Sequence, residues 1–301
     1  ETGYRKTMKK THLIILSLFL TSAIIITATV ITYKALTVPK SKKYVVETIE
    51  ANSKGYIKVG IISDAQLPQE EKNLYGWDYA TVMNGADHLI KALKYYKSQN
   101  VDMIVFNGDM VNATGDYAAY SAYNKILDYV YGEDRAEAPH IIYPMGNHEF
   151  YGGNQEHNFY KSTGLPLNTR TIVNGYSFIS ISNSKLEKGD EELAESNDTL
   201  ADGTYNEKRI EFLKEQLAAA NTEDPNKPIF VFIHMPISNI VNGGHWATPQ
   251  YEEIYSILKE YPQAVVFTGH SHYCMSDERA IMQKDFTVIN TGTCLLYTSP
   301  S

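Results

Sequence analysis

Residues 140–149 read His140-Ile141-Ile142-Tyr143-Pro144-Met145-Gly146-Asn147-His148-Glu149. An apolar, partly β-branched run, suited to a buried strand, stops abruptly at a glycine, an amide, an imidazole and a carboxylate. In open α/β sheets ligand sites form beyond the carboxyl ends of strands, which is where this polar cluster would fall. The same punctuation occurs four more times. Residues 56–63 run into Asp64-Ala65-Gln66, 102–106 lead to Gly108-Asp109, 229–233 into His234-Met235-Pro236, and 264–268 into Gly269-His270-Ser271-His272. A lone histidine is ordinarily a hydrogen-bonded structural residue, and a lone Asp or Asn a turn or cap residue. Five strand-like runs that each end in such residues point instead to one shared site.

Working outward, the stretches between these runs carry apolar residues three and four apart. Val82, Ala86, Leu89, Ile90 and Leu93 form one stripe, and Ile210, Leu213 and Leu217 another. Thr248 before Pro249 offers an N-cap and a first-turn proline for a third helix carrying Ile254, Ile257 and Leu258. Strands alternating with helices imply an α/β domain. Residues 176–182 (YSFISIS) alternate with period two and suit a second sheet, as do residues 286–290, whereas the acidic, Gly-containing stretch 185–205 reads as a solvated loop.

The clustered residue types select a chemistry. Carboxylate, imidazole and amide oxygen together suit Mn²⁺, Fe or Zn²⁺, and an all-oxygen Ca²⁺ or Mg²⁺ site would not need three histidines. A phosphate ester repels hydroxide, so its hydrolysis at neutral pH gains from cations that bind the phosphoryl oxygens and acidify a water. Two metals about 3.5–4 Å apart do both, provided that a carboxylate bridges them.

The set D-x-[H], GD-x-x-[DN], GNH[DE], an isolated His and GH-x-H resembles the calcineurin-like metallophosphoesterases, over roughly residues 57–293. That resemblance implies a sandwich of two mixed β-sheets flanked by helices and a pair of divalent metal ions, with Mn²⁺ favoured. Position by position it implies that Asp109 is the bridging carboxylate, that Asp64, Gln66 and His272 serve the first metal, and that Asn147, His234 and His270 serve the second. His148 would contact the phosphate and protonate the leaving oxygen, a task for a group titrating near neutral pH, and Glu149 would orient His148 or a ligand from behind.

Two positions depart from the family's pattern. Gln66 stands where the family usually has His, and a harder amide oxygen there favours Mn²⁺ over Zn²⁺. Gln at this place also resembles the manganese-dependent branch that acts on nucleoside-diphosphate-linked compounds. The second departure is Gly108-Asp109-Met110-Val111-Asn112-Ala113-Thr114, which lacks the D-R-G of protein Ser/Thr phosphatases and so favours a small-molecule substrate. The expected function is therefore hydrolysis of a phosphomonoester or phosphodiester. A pyrophosphatase of nucleoside-diphosphate type is the alternative, and a non-catalytic metal-binding module of the same fold is the alternative from another class. His12, His88, His140 and His157 belong to no motif, and His245, in Asn242-Gly243-Gly244-His245-Trp246, is a candidate substrate contact.

The 301 residues are 43% hydrophobic and 21% charged, as in a folded globular protein. A net charge of -8, with no basic stripe interleaved with aromatics, argues against a nucleic-acid partner, and nothing in the sequence marks a protein partner. Two cysteines, Cys274 and Cys294, cannot make a disulfide framework and read as free thiols. Residues 13–33 (LIILSLFLTSAIIITATVITY) carry no charge and are long enough to span a bilayer. Residues 1–39 are accordingly expected to be an uncleaved signal anchor, or else a signal peptide, of bacterial type. Residues 40–55 would be a linker, and residues 56–293 an extracytoplasmic catalytic domain. Met8 reads as a natural start. The stretch 294–301 (CLLYTSPS) resembles a translated sequencing adapter and is expected to be a non-native tail on a domain that lacks its last strands.

Overall fold

The computed structural model describes residues 43–52, 55–67, 79–112, 119–150, 155–184, 203–237, 240–241, 244, 248 and 250–294. The apolar run 13–33, the rest of the expected anchor, the tail after Cys294 and His245 lie outside these residues. Among the described residues no helix is long and apolar enough to cross a membrane.

Strands β2 (Val59–Ile62), β3 (Met103–Phe106) and β4 (His140–Ile142) form a three-stranded sheet in that order. They are joined by α1 (Tyr79–Ser98) and α2 (Ala119–Tyr131). Helical crossovers return each strand in the same direction. The smaller sheet is therefore parallel throughout and not mixed as expected.

The second sheet has seven strands and is mixed. Besides β1 (Tyr44–Ile49), it contains β5 (Asn168–Val173), β6 (Tyr176–Ile181), β7 (Ile229–Ile233), β8 (Ala264–Thr268), β9 (Ile281–Gln283) and β10 (Thr287–Asn290), in the order β1-β5-β6-β7-β8-β10-β9. Asn174 and Gly175, both with positive φ, make the two-residue turn between antiparallel β5 and β6, as left-handed Asn-Gly turns do. Helices α4 (Glu207–Glu223) and α5 (Tyr251–Leu258) carry the parallel crossovers from β6 to β7 and from β7 to β8, and α3 (Gln155–Thr163) follows β4. Asn206 caps α4 by accepting from the Arg209 amide at 3.2 Å. The α5 cap is Gln250, whose side chain accepts from Tyr205 N and Thr248 Oγ1 and caps no helix amide, and not the expected Thr248.

β1 lies inside the segment expected as linker. It pairs in parallel with β5 at the sheet edge, and its side chains alternate between exposed and half-buried. Half of the strand faces water, so its polar residues and lysine neighbours imitate a linker.

Burial follows this layering. In β3 Ile104 and Phe106 join Leu89 and Leu93 of α1 and Leu127 of α2 on one face, while Met103 and Val105 meet Phe178 and Phe232 of the large sheet on the other. The far face of the large sheet packs Val231 and Ile233 against Ile210, Leu213 and Leu217 of α4 and Ile254 of α5. Each fully buried side chain of this size contributes about 1.5–3 kcal/mol. The stripes visible in the sequence are thus the seams between layers, and packing fixes the direction in which the strand ends face.

Candidate metal centre

The five polar clusters fall at the carboxyl ends of β2, β3, β4, β7 and β8. A turn that leaves a strand this tightly forces the backbone into the left-handed region. Of eight non-glycine residues with positive φ among the described residues, five are Asp64 (54°), Gln66 (43°), Asp109 (53°), His270 (65°) and His272 (56°). Strain of that kind, about 1–3 kcal/mol per residue, clusters at functional sites. Turn-to-turn hydrogen bonds sustain it: Asp64 N donates to Gly108 O at 3.1 Å, Gln66 N to Asp109 O at 2.9 Å and Gly269 N to His234 O at 2.8 Å.

The ligand atoms of Asp109, His234 and His270 lie within 4.8 Å of one another. Asp64 sits beside them: its Oδ1 is 3.1 Å from His272 Nε2 and 3.9 Å from His234 Nε2, and its carboxylate accepts from the His270 amide. Gln66 Nε2 is 3.0 Å from His148 Nε2 and 3.4 Å from His272 Nε2. Asn147 is buried between Gly146 and His148 in the adjoining loop. Every residue singled out by the motifs therefore occupies one end of the sandwich. Two glycines permit that density. A Cβ on Gly146 would run into Asp109 Oδ1 and approach His234 Cδ2 to 2.7 Å, and one on Gly108, which has φ +83°, would strike the His234 ring. A cavity of about 990 Å³ opens elsewhere between the sheets, lined by residues such as Tyr56, Ile61, Phe178 and Phe230 and by none of the motif residues.

Two buried atoms of the donor set fit a cation. Asp109 Oδ2 and His234 Nε2, in two fully buried residues, approach to 3.0 Å, yet neither has a hydrogen bond of good geometry. A buried polar atom left so costs about 1–3 kcal/mol, and a cation held between the two would satisfy both. The His234 Nδ1 is 2.8 Å from the Asn107 carbonyl. A carbonyl only accepts, so Nδ1 carries the hydrogen and Nε2 is the atom offered to a metal.

Electrostatics set the charge that each of these groups carries in the metal-free protein, and a metal at His234 Nε2 would displace a proton. Burial opposes the His234 imidazolium, but the Asp109 and Asp64 carboxylates outweigh it and raise the group to about 10. His272 is likewise raised by Asp64 against burial. Burial and the neighbouring His234 push His270 down to about 4, which leaves it neutral and ready to ligate. Burial would raise Asp109, but His234 and His148 hold its carboxyl low. His148 donates from Nδ1 to Asn112 O at 2.9 Å, and its Nε2 faces the site, 4.0 Å from Asp109 Oδ2.

Glu149 lies behind Asp109. It is wholly buried and accepts the backbone amides of Asp109, Met110 and Gly146 and the Tyr143 hydroxyl, all at 2.7–2.9 Å, while the Asn112 carbonyl accepts from the His148 ring. Tight turns leave N–H groups without strand partners, and a buried carboxylate satisfies several at once. The supports Asn107, Tyr143 and Thr293, whose Oγ1 donates to Asp64 O at 2.8 Å, carry no mark in the sequence. Asn112 alone lay within a motif.

No curated protein sequence matches the chain at a meaningful level. Among solved structures it is similar to a dimetal phosphatase from Danio rerio, with TM-score 0.59, 18% identity and coverage of 79% of this chain and 88% of that one, a likeness of fold alone. A protein of Thermus thermophilus aligns with TM-score 0.49 and 13% identity over 80% of this chain and 91% of that one. The family model for calcineurin-like phosphoesterases matches residues 57–274, which include Asp64, Gln66, Asp109, Asn147, His148, His234, His270 and His272. The chain accordingly belongs to the calcineurin-like phosphoesterase family of metal-dependent phosphoester hydrolases.

Proposed function

We propose that the protein hydrolyses a small-molecule phosphomonoester or phosphodiester with water activated between two divalent cations. The observation that carries this reading is the convergence of Asp109, His234 and His270 ligand atoms within 4.8 Å, with the Asp64–His272 pair alongside at 3.1 Å. Asp109 would bridge the cations, Asp64, Gln66 and His272 would hold one, and Asn147, His234 and His270 the other. Such a pair supplies charge neutralisation of the phosphoryl oxygens and a water acidic enough to attack at neutral pH. The water oxygen bonds to phosphorus, the bond from phosphorus to the leaving oxygen breaks, and His148 Nε2 delivers the proton that the leaving oxygen needs.

Gln66 favours one second reading, cleavage of a pyrophosphate link in a nucleoside-diphosphate compound by the same centre, with Mn²⁺ preferred. Extracytoplasmic action from a membrane anchor belongs to the proposal too; it rests on the charge-free run 13–33 alone.

The test is hydrolysis by the chelated protein reconstituted with Mn²⁺, Zn²⁺ or Fe²⁺, on matched monoester, diester and nucleoside-diphosphate substrates. Turnover that needs metal and is lost in Asp109→Asn supports the reading and ranks the substrates. Folded protein that binds metal and turns over none of the three classes overturns it in favour of a binding module.

A further inference from the structure

Glu149 ties together two turns of the centre, although both of its carboxylate oxygens are turned to hydrogen-bond donors of the chain itself. Its Oε2 accepts Asp109 N at 2.9 Å and Gly146 N at 2.7 Å, and its Oε1 accepts Met110 N at 2.8 Å, Val111 N at 3.4 Å and the Tyr143 hydroxyl at 2.7 Å. The side chain of Asp109 returns the contact, its Oδ1 accepting the His148 amide at 2.8 Å. Two turns, one after β3 and one after β4, are thus latched reciprocally, each by a carboxylate of one turn on the backbone of the other. The latch holds Asp109 at φ 53°, and with the Gln66 amide on the Asp109 carbonyl it leaves that residue's backbone no free hydrogen-bonding group.

Glu149 and Tyr143 are both buried within about one percent of full enclosure, so no solvent can replace either group. Around them Tyr143 meets Phe106, Tyr123 and Phe159 at ring-centroid separations of 5.0–5.8 Å, which fixes the direction of its hydroxyl. A carboxylate facing four amide hydrogens and a phenol hydrogen works as an acceptor on both oxygens.

We infer that Glu149, aimed by Tyr143, is the positioning residue that sets the bridging carboxylate Asp109 and the His148 backbone in their working geometry before metal arrives. The inference rests on the reading of Asp109 as bridging ligand. Because the latch is made only of this chain's own groups, it governs metal affinity as well as turnover.

The test is calorimetric titration of the metal-free full chain with Mn²⁺ alone, with kcat, KM and melting temperature measured in parallel. In Glu149→Gln one N–H must face backbone N–H groups whichever way the amide turns. Mn²⁺ affinity is expected to fall about 10–100-fold, as for other groups that orient ligands, and kcat to fall with KM unchanged. Tyr143→Phe should shift both quantities in the same direction by less, and Glu149→Asp, which restores the charge, should recover part of the loss. Unchanged Mn²⁺ affinity in Glu149→Gln overturns the inference whatever happens to the melting temperature. Should that variant fail to fold, Tyr143→Phe decides on the same criterion. A parent chain that binds Mn²⁺ but hydrolyses no phosphoester refutes the proposed function and leaves the titration readable.

Discussion

Gly146→Ala should disable the centre while leaving the fold largely in place. The φ of Gly146 is not in the left-handed region, so alanine meets no backbone obstacle and any penalty comes from the methyl group. Its Cβ would lie 2.7 Å from His234 Cδ2 and 2.8 Å from Asp109 N, besides overlapping Asp109 Oδ1. Carbon atoms in contact rest about 3.5–4.0 Å apart, so something must move by roughly 1 Å. Neither neighbour yields cheaply: the His234 ring is tied to Asn107 O at 2.8 Å and the Asp109 amide to Glu149 at 2.9 Å. Overpacking of this kind costs about 1–3 kcal/mol of stability, and an ångström of misplacement in a reacting constellation costs on the order of 10²-fold in rate. Melting curves and Mn²⁺-dependent rates on the best substrate measure the two effects separately. A folded Gly146→Ala protein with parental kcat and Mn²⁺ affinity would show that the centre tolerates such a displacement, and the steric reasoning would be refuted.

Three further outcomes are expected. His148→Ala should lose about 10²–10⁴ in kcat while Mn²⁺ titration is unchanged; a parallel loss of metal binding would assign His148 to ligation instead. His234, at about 10 in the metal-free protein against 6.5 for the free side chain, carries a proton at pH 7 that ligation expels. Mn²⁺ affinity should therefore climb with pH, with proton release seen by calorimetry in buffers of different ionisation enthalpy. The stability that this group lends the metal-free protein is full below about 6.5 and is lost as pH rises through about 10, which melting curves across that window would detect. Gln66→His should tighten Zn²⁺ relative to Mn²⁺, and an unchanged preference would count against Gln66 as a ligand.

The catalytic end was legible because each strand end exposes its chemistry in consecutive letters, as in Gly146-Asn147-His148-Glu149. β7 and β8 have the bounds that their apolar runs predict, since one face of each is buried, the other is at least half-buried, and both read as continuous apolar segments. β1 was missed for the opposite reason: four of its six residues are β-branched, but an edge strand half in water shares its composition with a linker. The contacts of Glu149 were hidden because they run to backbone amides, which have no letter. Tyr143 sits inside an apolar run whose pattern explains it fully as packing, so its hydroxyl gave no signal. The loops that would meet a substrate carry no code in their composition, because their contacts depend on shape and not on residue type.

The left-handed backbone at Asp64, Asp109, His270 and His272 restricts what any redesign of the centre can use. Asn, Asp and His are the non-glycine residues several-fold enriched at positive φ, and they are also oxygen and imidazole donors. The ligand alphabet here is thus limited twice, by coordination chemistry and by the turn, and a Thr or Val at these places would be rejected before any metal was offered. Gln66, at φ 43°, is the member outside that enriched set. A library that varies position 66 among Asn, Asp and His can relax the turn and change the metal in one step, whereas the same library at position 234 relaxes no such constraint.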